Sequence, residues 1–176
     1  MKVRLFRALP WVLATLVIAI GVHLALLYQI PGYVMEKALA RVGPANTIVH
    51  GKRVDATARA IVRPSPELLY STCPYDVSQR PLRITAEVPQ GTYWSVSFFD
   101  DETNNFYVRN DRQVKGGHID ILLMAAAPLD KPLPKGAEIV HAPSLKGLVL
   151  FRTLINDDAQ FAAIDAARRT ADCAPY

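Results

Sequence analysis

The segment Leu82–Phe99 reads LRITAEV-PQG-TYWSVSFF, and it sets the class of the protein. Its first seven residues alternate apolar and polar side chains, the pattern of a half-buried strand. Pro89-Gln90-Gly91 supplies a turn. Thr92–Phe99 is a second strand, with Tyr93, Ser95, Ser97 and Phe99 on one face and Trp94, Val96 and Phe98 on the other. Two such runs about a short turn predict a β-hairpin.

Toward the C-terminus the strand signals continue. Asp100–Asn105 is turn-rich, and Asn104-Asn105 tolerates left-handed backbone. Phe106-Tyr107-Val108 starts another short strand, and Gly116-Gly117 marks the next turn. His118–Ala125 is a further strand, Pro128–Gly136 a proline-stiffened loop, and Glu138–His141 and Gly147–Leu154 the last strand candidates. Asp157–Arg169 predicts a helix. Asn156 can cap it, Asp157 and Asp158 suit its positive end, and Arg168 and Arg169 its negative end. Phe161, Ile164 and Ala167 would face the core. The order of elements predicts a mainly β protein with flanking helices (α+β), an antiparallel β-sandwich or partly open barrel behind an N-terminal transmembrane helix.

That helix is read from Pro10–Ile30, PWVLATLVIAIGVHLALLYQI, twenty-one residues without a formal charge. At a rise of about 1.5 Å per residue it spans a hydrocarbon core of about 30 Å. Pro10 suits a first helical turn, and Trp11 and Tyr28 suit the two interfaces. Pro31-Gly32 is expected to end the helix. The run is longer than the apolar region of a cleaved signal and offers no small-x-small site near its end, so an uncleaved anchor is expected. His23 reads as a neutral imidazole within a single span. Lys2, Arg4 and Arg7 precede the run and should stay cytoplasmic, which exports the remainder.

The division is therefore a basic cytoplasmic tail at 1–9 and an anchor in the bilayer at 10–30. A juxtamembrane helix (Tyr33–Val42) and connector occupy 31–62, and an exported β-rich domain 63–176. Ala45–Val62 is expected to begin with a short strand. The location is a bacterial plasma membrane with the domain on the outer side.

Of 176 residues, 51% are hydrophobic and thirteen are proline. This fits a folded core and disfavours a helical bundle. The net charge is +4. From Pro31 onward there are seventeen basic against sixteen acidic residues, a net charge of only +1. The basic balance thus reports membrane topology, and nucleic acid is not an expected partner.

From Arg63 onward, four ordered blocks carry a likeness. They are Arg63-Pro64-Ser65-Pro66-Glu67-Leu68-Leu69-Tyr70-Ser71; Tyr75-Asp76-Val77-Ser78 with Pro81; Tyr93-Trp94-Ser95-Val96 with Asp100 and Thr103-Asn104-Asn105-Phe106; and Ala142-Pro143-Ser144, Gly147 and Arg152-Thr153-Leu154-Ile155. Together they resemble the bacterial family catalogued as domain of unknown function 1254. The resemblance implies a β-rich domain. It also implies a companion, the domain of unknown function 1214, which here would be a separate polypeptide. Two stretches depart from the longer relatives: Ser65-Pro66-Glu67-Leu68 stands where they carry an Asn-Asn-Asp-Thr-like run, and Gly117-His118-Ile119-Asp120-Ile121 where they carry a glycine-rich Tyr-Leu strand.

Candidate chemistry is sparse. Cys73 and Cys173 are the only cysteines. In an oxidising compartment they suit a disulfide closing a loop of about 100 residues; the alternative is two free thiols, since separation in sequence sets no distance. Asp100, Asn104, Asn105, Arg109 and Arg112 form the candidate binding surface, with ion pairing inside this group as the structural alternative. Asp100, Asp101 and Glu102 lack the spacing of a calcium loop. His118 and Asp120 share one strand face, which suits an acid–base pair or an exposed sheet surface. No HExxH, CxxC or Gly-x-Ser-x-Gly occurs, so no metal, cofactor or catalytic residue is assigned. The leading expectation is a tethered, non-catalytic binding or accessory module. The alternative is an envelope enzyme acting on a glycan or lipid through His118 and Asp120.

Overall fold

The computed structural model describes residues 2–55, 57–58, 64–125 and 132–176. Residue 56, residues 59–63 and the start of the Pro128–Gly136 loop lie outside the described residues. Helix α1 covers Lys2–Val42. The strands are β1 (Val49–His50), β2 (Leu68–Asp76), β3 (Leu82–Glu87), β4 (Trp94–Phe99), β5 (Asn105–Asn110), β6 (His118–Met124), β7 (Glu138–His141), β8 (Lys146–Leu154) and β9 (Asp172–Pro175). A 3-10 turn at Asp158–Gln160 and helix α2 (Phe161–Arg168) precede β9.

Among the described residues, nine strands form two open sheets, in the orders β1-β2-β8-β4-β5 and β7-β6-β3-β9. Alternation explains the packing. Cys73, Tyr75, Trp94, Val96, Phe98, Val149 and Phe151 from the first sheet meet Leu82, Ile84, Ala86, Ile119, Ile121 and Leu123 from the second in one buried cluster. The fold is sandwich-like α+β, in the expected class.

Several local expectations need correction. Leu82–Val88 and Thr92–Phe99 do not form a hairpin. β3 pairs with β6 and β9, whereas β4 pairs with β5 and β8. Val88–Tyr93 carries the chain from one sheet to the other. The alternating apolar faces therefore meet across the core instead of lying side by side. The sheets are not purely antiparallel either, since β6 and β7 run parallel.

Pro31-Gly32 does not end the helix, because α1 continues to Val42 with Pro31 inside. Pro31 removes one helical hydrogen bond. Packing of the next turn compensates, since Met35 is 5% exposed and α1 contacts β2 and β8. Asn156 is not the cap of the C-terminal helix. Asp157 caps the 3-10 turn ahead of it, accepting from the Ala159 N–H at 2.9 Å, and α2 itself starts after Gln160 with no side-chain cap. The tail after α2, read as no element, is the edge strand β9.

Candidate functional site

Part of three likeness blocks, Tyr75-Asp76, Asp100 with Asn104, and Ser144 with Gly147, meets at the end of the sandwich where α1 arrives, while Leu68, Trp94 and Thr153-Leu154 lie at the other end. Asp100 follows β4 and is 8% exposed. Its carboxylate accepts from the backbone N–H of Glu102 (3.0 Å), the backbone N–H of Asn104 (2.8 Å) and the Asn104 side-chain amide (3.0 Å). The turn holds Thr103 at φ +69°, a left-handed conformation uncommon outside glycine. Three donors fill one carboxylate, so Asp100 and Asn104 act as the internal brace of this turn.

The β7–β8 loop locks onto the same turn. The Ser144 hydroxyl accepts from the Asp101 N–H at 3.0 Å, donates to the Lys146 carbonyl at 2.6 Å and lies 3.3 Å from the Tyr75 hydroxyl. The Tyr75 ring crosses β8 at Gly147, where a Cβ would collide with both that ring and the Phe99 carbonyl. Glycine is required there for this close approach. Burial pushes the Tyr75 phenol up to about 12, and the negative charges of Asp100 and Asp101 add to the effect against the opposing Ser144 hydrogen bond. It is a neutral strut at any ordinary pH.

α1 is fastened beside this hub. Beyond its end, Asn46 sits in left-handed backbone at φ +56°. Its backbone N–H donates to the Pro74 carbonyl at 2.7 Å, its side chain donates to the Asp76 carbonyl at 2.9 Å, and the Asp76 N–H donates back at 2.8 Å. These bonds, with buried Met35, tie helix and sheet together. A groove of about 350 Å³ remains between them, lined by Gly32, Met35, Leu39, Asp101, Leu145 and Lys146.

The remaining candidates are spread along β5 and beyond it. Asn105 is exposed where β5 begins. Arg109 is ion-paired with Glu138 of β7 and lies over the Tyr107 ring. Arg112 lies past the other end of β5 and lines an open groove of about 650 Å³ with Tyr93, Asp111 and Asn156. The structure thus places Asp100, Asn104 and Asn105 at the helix-proximal end and Arg112 at the distal end.

His118 and Asp120 share the outer face of the second sheet, each with its own partner. His118 Nδ1 lies 3.1 Å from Glu87. Asp120 accepts two hydrogen bonds from Arg83, at 2.9 and 2.7 Å, and this pairing holds its carboxyl below the usual range. Among the described residues, no group of three His, Cys, Asp or Glu side chains is arranged to hold a metal ion.

Sequence reasoning missed a second cluster. Arg168, placed at a helix end by its charge, is buried, and its guanidinium donates to the carbonyls of Gly51 (3.0 Å) and Tyr70 (2.8 Å) and to Asp165. Ser71 receives Arg168 at 3.3 Å and lies 2.8 Å from His50 Nδ1. The Ser71 hydroxyl is buried, so this serine–histidine contact closes the sandwich edge beside α2. A disulfide joins Cys73 of β2 to Cys173 of β9 with Cα atoms 6.6 Å apart, linking the two sheets through the core.

Comparison with known proteins adds a family and a fold. No curated protein matches the chain. Among solved structures, it is similar to the VPA0106 protein from Vibrio parahaemolyticus, with a TM-score of 0.59 at 12% identity over 82% of this chain and 37% of that one. It is also similar to an uncharacterised protein from Burkholderia cenocepacia, with a TM-score of 0.51 at 17% identity over 85% of this chain and 41% of that one. The chain therefore spans less than half the length of either. The family model described as "Protein of unknown function (DUF1254)" matches residues 45–175, which takes in the two sheets, α2 and the residues of the hub. The chain belongs to that family.

Proposed function

We propose that this chain is a single-pass membrane protein of the bacterial envelope whose sandwich serves outside the cytoplasm as a non-catalytic binding or accessory module. One observation carries the reading. From Ala8 the helix contains an 18-residue window of mean hydropathy 2.2, and none of that window is buried by the rest of the chain. Trp11 alone is 77% exposed. So much bare apolar surface is unfavourable in water and favourable in a bilayer. Lys2, Arg4 and Arg7 before it support a cytoplasmic N-terminus. Alkaline carbonate washing of membranes tests the anchor: the full-length chain stays with the pellet, and release into the wash contradicts the reading.

The accessory role is supported by how the titratable groups are used. Asp100 braces a turn, Asp120 and His118 are engaged with Arg83 and Glu87, and Ser71 is sealed in the core. His118→Ala is expected to leave function intact, whereas an anchor exchanged for a cleavable signal abolishes it. The proposed partner is a separate protein of the domain of unknown function 1214 family. Co-expression of the two and recovery of a complex in mild detergent tests that pairing.

A further inference from the structure

The end of the apolar segment and the rim of the sandwich lie at one level along α1. The run read as the anchor closes at Ile30 ahead of Pro31, and the first charge beyond it is Glu36. Gly32 is about 3 Å further along the axis at the rise of an α-helix. A Cβ on Gly32 would stand 3.8 Å from the Asp101 carbonyl oxygen, so the β4–β5 turn meets the helix at that height. Leu145, on the adjoining β7–β8 loop, lines the same groove as Gly32 and Met35 and is 52% exposed. The polar layer on each side of a bilayer is roughly 5–8 Å deep. A turn touching the helix about 3 Å beyond the apolar run falls inside that layer.

We infer that the Asp101–Thr103 turn and the Ser144–Lys146 loop sit in the lipid headgroup layer, with Leu145 directed at the acyl boundary as a second, shallow anchor. This rests on the reading of α1 as membrane-spanning. The occupant of the rim is the lipid surface because the rim is continuous with the segment already placed in lipid. Beyond Pro31 the helix is held to the sandwich by Met35 and by the Asn46 clamp on β2, so this part of α1 and the rim form one unit. Tyr93 and Arg112 lie at the opposite end of the strands, roughly 20 Å from the rim, the length of a six-residue strand.

Photo-cross-linking tests this in the full chain, purified and reconstituted into vesicles of three parts phosphatidylethanolamine to one part phosphatidylglycerol. Benzoylphenylalanine is placed singly at Leu145, at Val17 inside the anchor and at Tyr93 at the distal end. The expected result is lipid adducts from positions 145 and 17 and none from 93. Adducts from 17 without adducts from 145, or protein adducts alone from 145, overturn the seating and leave the anchor standing. Adducts from all three positions overturn it as well, because contact confined to the rim leaves position 93, roughly 20 Å from it, out of the lipid. No lipid adduct from 17 removes the anchor and the seating together.

Discussion

Arg109 of β5 is ion-paired with Glu138 of β7, and the Tyr107 hydroxyl donates to the same carboxylate at 2.9 Å. β5 ends one sheet and β7 begins the other, so this contact closes an open side of the sandwich. Burial, and then the neighbouring carboxylate, raises the Tyr107 phenol above its ordinary range. The two ion-paired side chains remain 35% and 44% exposed, which holds the pair to about 1 kcal/mol, far below a buried one. Glu138→Gln is expected to lower the unfolding temperature by about 2–5 °C, read by circular dichroism. Adding Arg109→Ala should lower it little further, since both changes remove one interaction.

The disulfide is the larger constraint. Cys73 and Cys173 are 100 residues apart, and closing such a loop stabilises by about 4–5 kcal/mol in the chain-entropy model. Cys73→Ala or reduction is expected to lower the unfolding temperature by about 10–20 °C. The native chain should take up no thiol-specific label until it is unfolded and reduced.

Arg168 is the most demanding side chain in the core. Its guanidinium satisfies the Gly51 and Tyr70 carbonyls and pairs with Asp165. Burial alone would raise the Asp165 pKa, but Arg169 and Arg168 outweigh it and the net shift is downward. Arg168→Met removes the side-chain donor of the Gly51 carbonyl and one of two partners of Asp165, which keeps Arg169, a loss of about 1–3 kcal/mol in urea unfolding. Arg168→Lys should recover only part of this, because an ammonium cannot reproduce the guanidinium fork.

His50 reports the same cluster through pH. Burial first, then the Arg168 and Arg169 charges, lower its pKa below 6.5. The unfolded chain takes up a proton near 6.5 while the folded chain resists it. Stability should therefore fall as pH drops through 6.5, until the folded-state pKa is passed. Imidazole resonances followed by NMR should give His50 a midpoint below 6.5, and His50→Asn should flatten that part of the stability profile.

What was legible in the sequence follows from what leaves a local mark. The period-two alternation of Leu82–Glu87 and Trp94–Phe99 exposed both strands, and the polar density of Asp100–Asn105 exposed a turn. Which strands pair was not legible, because the same alternation serves a hairpin or two sheets facing each other. β9 left no mark: Asp172-Cys173-Ala174-Pro175 is short and ends in proline, tolerable only at an edge. Arg168 looked like an ordinary partner for a helix end, since burial of a charge depends on what the tertiary fold brings to it. The candidate surface failed to gather for a similar reason. Asp100 and Arg112 are neighbours in sequence but lie at opposite ends of a strand, and nothing local shows that Asp100 spends its carboxylate on its own turn.

The central claim is that α1 stays in the membrane and holds the sandwich outside the cytoplasm. It is tested most directly by proteinase treatment of intact spheroplasts making the chain with a C-terminal tag. The account expects the tag to be removed without lysis and a membrane-bound fragment to remain that begins at Met1 and extends past Ile30. A tag protected until the spheroplasts are broken, or membranes without that N-terminal fragment, would contradict it.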